Sequence, residues 1–300
     1  MRHVLQKVSA AGLAALLATT AVAEDRPQVV VVNKALEYFA ERLLDDSTDV
    51  VFPVPEGVDP SFWRPSISDI SRVQSADLIL LNGAGFATWI DRVSLPRSRV
   101  VNTSAAIEDQ FIVTESITHS HGDGGEHSHE GLASYVWLDP VLAIAQADAI
   151  ASAVIARDLG AAQDVEARLD TLRSELTELD AMAQEVLSSV QDVTIVATHP
   201  RYQYFARRYG LSVISLEWEA GAMPGDDAIS ELAQIVEEND ARILIWEAEP
   251  PVAAIEAAQS LGLQSVVFNP WASQGAAGSF LDAYKTAVSG IAGAMGQGSN

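Results

Sequence analysis

The 300-residue sequence contains no cysteine, so neither disulfide bridges nor thiolate metal ligands are available to it. For the same reason we expect no lipid anchor, because there is no cysteine to be lipid-modified. A metal ion bound by this chain would need histidine, carboxylate or tyrosine side chains. Histidine is scarce as well: the chain has six, and four of them lie within residues 118–131.

Basic residues are few, with 18 Lys and Arg against 41 Asp and Glu, for a formal net charge of −23. A surface of this sign repels nucleic acid phosphates and anionic lipids, and it attracts cations. The same acidity also keeps an exported protein soluble, so a field tuned for cations is only one of two interpretations. Under either interpretation, we expect no nucleic acid partner.

The first residues have the pattern of a secretory signal peptide. Arg2 and Lys7 precede an apolar run of Ala, Leu and Val, and Ala-Val-Ala is followed by Glu-Asp. We expect cleavage after Ala23 and export to a Gram-negative periplasm. The mature chain would then have 18 − 2 = 16 basic and 41 acidic residues, a net charge of −25. An uncleaved N-terminal anchor is the alternative.

Six short apolar runs follow, each of the length and composition of a strand buried on both faces. They cover residues 28–33, 77–82, 193–199, 211–216, 241–247 and 265–269. Helical stretches lie between them, such as residues 226–239, which open with acidic residues suited to a helix N-terminus. The alternation of strand and helix predicts an α/β fold with parallel sheets.

One segment interrupts the alternation. From Ala162 to Val190, apolar residues recur every three or four positions, which predicts a single long amphipathic helix. Strand–helix repeats continue on both sides, so an interdomain helix is favoured over a coiled-coil dimer seam. The predicted organisation is a signal peptide (1–23), an N-terminal α/β lobe (24–160), a linking backbone helix (161–190) and a C-terminal α/β lobe (191–300).

Four motifs then line up along the chain. The first is PEGVDPSFWRPS (55–66) together with the ADLILLNGAGFATWI (76–90) that follows it. The other three are YVWLDP (135–140), THPRYQYFARRYGL (198–211) and VVFNPWA (266–272). With the signal peptide and the long helix, they resemble the zinc and manganese group of periplasmic solute-binding proteins of ABC importers. The resemblance implies two (β/α) lobes, a metal ion held in the cleft between them, and delivery to a membrane permease with its ATPase. We expect a monomer.

In the resembled family four side chains close the metal site, and one of the four is retained here, as His199. The other three positions hold Ser61, Tyr135 and Asn269 where the family has His, His and an acidic residue. A hydroxyl, a neutral phenol and an amide are poor zinc ligands. We therefore rank these three as weaker candidates.

Acidic residues near the predicted strand ends could restore the lost charge. Glu247 ends the strand at 241–247, and ligand sites in α/β sheets gather at the carboxyl ends of strands. His199 and Glu247 are therefore the predicted cleft ligands. Glu56 and Glu217 are weaker candidates, each with the alternative of being a solvated or ion-paired loop acid.

Aromatic residues suggest a second kind of cleft ligand. Trp63 and Trp271 lie in loops just beyond predicted strands, and with Tyr135 they could line a pocket for a metal chelate or a small organic cation. Packing of the lobe interface is the alternative role for both tryptophans.

The stretch THSHGDGGEHSHEG (118–131) is a second predicted metal site. His119 and His121, and likewise His127 and His129, have the i, i+2 spacing that places two imidazoles on one face of an extended segment. Together the two pairs could hold one Zn²⁺, and Cu²⁺ or Ni²⁺ also bind imidazole well. A periplasmic metal chaperone or buffer acting through this His-rich loop (115–133) is therefore a third hypothesis.

Catalytic motifs are absent from the sequence. It has no Gly-x-Ser-x-Gly, no His-Glu-x-x-His, no phosphate-binding loop and no cysteine nucleophile. We therefore expect no enzyme activity. The preferred function is the periplasmic solute-binding component of an ABC importer for a metal ion, zinc being the first choice.

Overall fold

The sheets form where the sequence has its short apolar runs. The computed structural model describes residues 26–114, 131–274 and 278–296. A first parallel sheet consists of β1 (Gln28–Val31), β2 (Asp49–Val51), β3 (Leu78–Leu81) and β4 (Val100–Asn102), in the order β2-β1-β3-β4. After it, β5 (Val113–Thr114) and β6 (Gly131–Leu132) pair in antiparallel fashion.

A second parallel sheet has the same number of strands. It consists of β7 (Thr194–Ala197), β8 (Ser212–Ser215), β9 (Ile243–Trp246) and β10 (Gln264–Val267), in the order β10-β9-β7-β8. All six predicted strands are present, and the α/β prediction with parallel sheets is confirmed. The strands β2 and β4 were not predicted, because each has only three residues and neither is fully buried.

Helices cover both sheets. In chain order they are α1 (Lys34–Leu43), α2 (Ile67–Ser75), α3 (Pro140–Ala156), α4 (Ala162–Leu187), α5 (Gln203–Tyr209), α6 (Asp226–Asn239), α7 (Val252–Ser260) and α8 (Phe280–Gly296). Short 3₁₀ helices occur at Thr88–Arg92, Ala105–Gln110, Val136–Leu138 and Ser188–Val190. Within the described ranges, no helix is both long and apolar enough to cross a membrane.

Local side-chain contacts fix where three of these helices begin. The Asn33 side chain accepts a hydrogen bond from the Leu36 amide and caps α1. A reciprocal capping box between Ser66 and Asp69 starts α2. Asp139 caps α3, where Pro140 takes a first-turn position that needs no backbone donor.

The long helix α4 is buried along one stripe and exposed on its other faces. Its apolar residues at helical spacing, Val165, Leu169, Leu172, Leu176 and Leu179, face inward. The helix packs against α1 and α3, which belong with the first sheet, and against α8, which packs on β10. It therefore connects the two halves of the molecule as the periodicity predicted, and the Ser188–Val190 turn continues it to the expected end.

One apolar core runs through both halves. It includes Val30 of β1, Leu172 of α4, Ile195 of β7 and Val288 of α8, while a smaller second cluster lies under α6 and α7. The two halves are therefore packed together, and residues from both of them line one cleft.

Candidate functional site

A cavity of about 330 Å³ lies at the carboxyl ends of the strands, between the two sheets. Residues 57–60 and Tyr135 line it from the first half of the chain. His199, Arg201, Glu219 and Glu247 line it from the second half, and residues 272–274 complete the wall. The cavity thus has the position that ligand sites take in open α/β sheets.

His199 and Glu247 come together in this cavity. His199 follows β7 and Glu247 follows β9, its neighbour in the sheet. The Nδ1 atom of His199 is 2.9 Å from Oε2 of Glu247, although the two atoms lack hydrogen-bonding geometry. On the other side of the ring, Nε2 lies 4.0 Å from a carboxylate oxygen of Glu217. The imidazole is therefore placed between two acidic side chains.

Backbone contacts hold this pair in register. The Glu247 amide donates a hydrogen bond to the hydroxyl of Thr198 at 3.2 Å, and the Trp218 amide donates to the Thr198 carbonyl at 2.8 Å. The loop that carries His199 is thereby attached to the strand ends on both sides. The position of the imidazole follows from the sheet and not from a flexible loop.

The Glu247 carboxyl is mostly buried, with 14% of its side chain exposed. Burial favours the neutral acid, but the contact with His199 and the charges of Arg201 and His199 outweigh it. The pKa of Glu247 therefore lies below its ordinary value. At neutral pH this group is a carboxylate.

Arg201 is the functional candidate that sequence reasoning missed. Its guanidinium, 8% exposed, places Nη2 at 2.5 Å from Oδ2 of Asp59 and Nε at 3.5 Å from Oε1 of Glu247. Burial opposes its charge, yet the surrounding groups, with Glu247 and Asp59 among them, keep the pKa of Arg201 above its ordinary value. A permanent cation therefore lies between the carboxylates of Asp59 and Glu247.

Tyr135 forms the floor beneath this cation. The Cζ atom of Arg201 lies 4.7 Å from the centre of the Tyr135 ring, which is cation–π distance. Burial raises the pKa of Tyr135 far above its ordinary value, so the group is a neutral phenol. Its hydroxyl and that of Ser61 are buried, and among the described residues neither makes a well-formed hydrogen bond.

Asp59 is the second residue of this ion pair that the sequence analysis did not select. Its Oδ1 atom accepts a hydrogen bond from the Ser61 amide at 2.8 Å, which leaves Oδ2 for Arg201. The only signal in the sequence was its place in the motif that contains Ser61.

The remaining cleft candidates have other contacts. Asn269 accepts a hydrogen bond from the Trp271 amide at 2.8 Å and closes a local turn, outside the cavity wall. Glu56 is exposed and also lies outside the wall. These positions give no support to either residue as a cleft ligand.

The predicted aromatic pocket is not formed by the tryptophans. Trp271, which has a φ of +57°, packs edge-on against Tyr38 and Phe280. Trp63 packs edge-on against Trp89, with ring centres 5.6 Å apart. Both are buried in packing contacts, which was the alternative interpretation, and neither lines the cleft cavity.

The cleft residues fit a metal ion poorly as they stand. Within the described ranges, no group of three or more His, Cys, Asp or Glu side chains is arranged to hold a metal ion. His199 and Glu247 are close enough, but Arg201 occupies the space between Glu247 and Asp59. The four loop histidines, His119, His121, His127 and His129, lie outside the described residues, so the loop site stays a prediction.

Two parallel sheets facing one cleft, joined by a long helix, define a two-lobed solute-binding protein. The chain belongs to the ZnuA family: the model of that family, described as zinc-uptake complex component A, periplasmic, matches residues 29–294. Family and fold class were both predicted correctly. Membership in this family of uptake components also confirms that the chain is not an enzyme.

Individual relatives are distant. The zinc-binding lipoprotein AdcA of Streptococcus pneumoniae is 25% identical over 256 residues, which cover 83% of this chain and 50% of that protein. The chain thus spans about half the length of this relative. The high-affinity zinc uptake system protein ZnuA of Bacillus subtilis is 24% identical over 231 residues, covering 74% of this chain and 71% of that one.

Solved structures share the fold. The crystal structure of the Zn(II)-bound ZnuA-like domain of Streptococcus pneumoniae AdcA superposes with a TM-score of 0.75 at 19% identity, covering 90% of this chain and 99% of that one. The metal-dependent lipoprotein YcdH from Bacillus subtilis gives a TM-score of 0.74, also at 19% identity, over 89% and 98% of the two chains.

Proposed function

We propose that this chain is the periplasmic, zinc-binding component of a zinc-uptake ABC importer. It takes up the ion in the cleft between an N-terminal lobe (24–160) and a C-terminal lobe (191–300) and presents it, as a monomer, to a membrane permease with its ATPase. Family membership supports this, as do relatives described as a zinc-binding lipoprotein and a zinc uptake protein.

The observation that carries the proposal is the pairing of His199 with Glu247. The two side chains come from neighbouring strands and meet within 2.9 Å at the wall of the cavity. Imidazole nitrogen and carboxylate oxygen are both zinc ligands. The His-rich loop would be a second zinc site that captures the ion or passes it to the cleft.

The proposal is tested by counting zinc ions on the full chain with native mass spectrometry and isothermal titration. Replacement of the four loop histidines by alanine should remove the loop-bound ion, and adding His199→Ala should remove the remainder. Glu247→Gln should weaken the cleft ion, whereas Glu238→Gln on the exposed face of α6 is the matched control and should not. The proposal would be contradicted if the chain bound no zinc, or if zinc binding were unchanged after all five histidines were replaced.

A second candidate function keeps the transporter class but changes the ligand. Tyr135 lines the cavity, and its buried hydroxyl makes no well-formed hydrogen bond to the described residues, as expected of a group that meets a metal chelate or a small organic cation. A ligand mass that survives purification after all five histidines are replaced would favour it over free zinc.

A further inference from the structure

The guanidinium of Arg201 lies where a bound cation would be expected to lie. It is held between Asp59 of the first half and Glu247 of the second, with the neutral ring of Tyr135 beneath it. Both carboxylates line the same cavity as His199, and that of Glu247 lies 2.9 Å from the imidazole. One of their two negative charges is therefore already offset by a group of the protein itself.

This ion pair is not well satisfied. Among the described residues, Nε of Arg201, Oε2 of Glu247 and Nδ1 of His199 are buried without a hydrogen-bond partner of good geometry. By contrast, Arg208 binds both carboxylate oxygens of Asp180 on α4 through Nε and Nη2. Buried polar atoms left unpaired are costly, so the Arg201 arrangement lacks the geometry of a purely structural bridge.

Charge makes this guanidinium and a divalent ion mutually exclusive. A cation coordinated by Glu247 and Asp59 would lie within a few ångströms of Arg201, where like charges repel strongly in a partly buried site. A carboxylate oxygen also cannot accept a guanidinium hydrogen bond and bind an ion along the same lone pair.

We propose that Arg201 is a built-in competitor for the cleft cation. A divalent ion binds only after the guanidinium leaves, and it then uses Asp59, His199 and Glu247, which bring two carboxylates and one imidazole from both halves of the chain. Arg201 thus sets the affinity of the cleft for the ion. The inference rests on the proposed function, since it assumes that the cleft takes a metal ion.

The test uses the full chain with the four loop histidines replaced by alanine, so that only the cleft is measured. The zinc dissociation constant is obtained by competition with a fluorescent chelator, for this chain and after Arg201→Ala or Arg201→Gln. Both substitutions should tighten zinc binding about tenfold or more, because a unit of like charge a few ångströms from a divalent ion is removed. Arg201→Lys keeps the positive charge, so zinc binding should stay as weak as in the chain with Arg201.

Two controls separate a local effect from a general one. Arg242→Ala removes the same charge from an exposed pair with Asp240 at the surface of the same half, and it should leave zinc binding unchanged. Asp59→Asn added to Arg201→Ala should reverse the gain. Circular dichroism verifies folding, and the glutamine variant decides the question if the alanine variant does not fold.

The outcomes distinguish this inference from the proposed function. Zinc binding by the loop-substituted chain, with no gain in either Arg201 variant, overturns the inference and leaves the function in place. No zinc on the loop-substituted chain but binding by an Arg201 variant supports the inference and refutes zinc uptake by the native cleft. A gain that Asp59→Asn does not reverse removes Asp59 from the ligand set, and absence of zinc from every variant overturns both.

Discussion

Tyr135 and Tyr202 are two buried phenols whose hydroxyls have different surroundings. Tyr202 donates a hydrogen bond to the Phe268 carbonyl at 2.6 Å, whereas the Tyr135 hydroxyl makes no well-formed bond among the described residues. Removing a buried hydroxyl that donates a hydrogen bond leaves its acceptor unpaired and lowers stability. Removing a buried hydroxyl without a hydrogen bond removes an unfavourable contribution to the folding free energy. Comparing the stability effects of removing each hydroxyl therefore shows whether the Tyr135 hydroxyl stabilises the fold.

We predict that Tyr202→Phe lowers the free energy of unfolding by about 1–2 kcal/mol, while Tyr135→Phe leaves it unchanged or raises it slightly. Urea unfolding of both variants, in the presence of a metal chelator, measures the difference. A loss of similar size in the two variants would show that the Tyr135 hydroxyl has a structural partner.

Glu247 predicts a pH dependence of stability. Its pKa is lowered in the folded protein, so the folded state binds this proton more weakly than the unfolded chain does. The resulting stabilisation is complete above the ordinary value of 4.5 and is lost as the pH falls through the lower folded value. In urea unfolding without metal, the stability gap between the native chain and Glu247→Gln should narrow below pH 4.5. A gap that stays constant with pH would show that the carboxylate is not specially stabilised.

Sequence reasoning at the residue scale selected His199 and Glu247 from their positions at strand ends, and the structure brings them within 2.9 Å. It missed Arg201, two positions after His199. A strand end indicates where a side chain starts, but whether a long side chain turns into the cleft depends on partners such as Asp59, which is 142 positions away. No local pattern encodes that contact.

At the scale of elements, hydrophobic patterning located most of the secondary structure. The α6 helix spans the predicted residues 226–239, and the long helix was predicted from its apolar stripe. The patterning failed at β2 and β4, which lie at the edges of the first sheet. An edge strand of three residues shows neither a continuous apolar run nor a clear alternation.

The apolar stripe of α4 gives a prediction for stability. Leu172 is fully buried and belongs to the core that the two halves share, so Leu172→Ala should lower the free energy of unfolding by about 3 kcal/mol. Glu178→Ala, on the exposed face of the same helix, is the control and should change it by less than about 0.5 kcal/mol. Denaturant unfolding followed by circular dichroism measures both. An equal effect of the two would mean that α4 does not pack as described.

At the scale of the whole molecule, buried hydrogen bonds fasten the two halves behind the cleft. The Trp137 indole donates to the Pro270 carbonyl at 2.7 Å, and the Tyr284 hydroxyl donates to the Leu138 carbonyl at 2.7 Å. Each bond joins a residue before α4 to one after it, within a continuous core. These contacts and the shared core oppose separation of the two halves.

The Arg201 guanidinium is a counter-ion that is covalently attached to the protein. An arriving metal ion displaces a charge that cannot diffuse away, since it stays attached to the same loop as His199. If the proposed competition holds, withdrawal of the ion lets the guanidinium return to its contacts with Asp59 and Glu247. Under the proposed uptake function, such a site would bind the ion less tightly and release it more readily than the same ligands without Arg201.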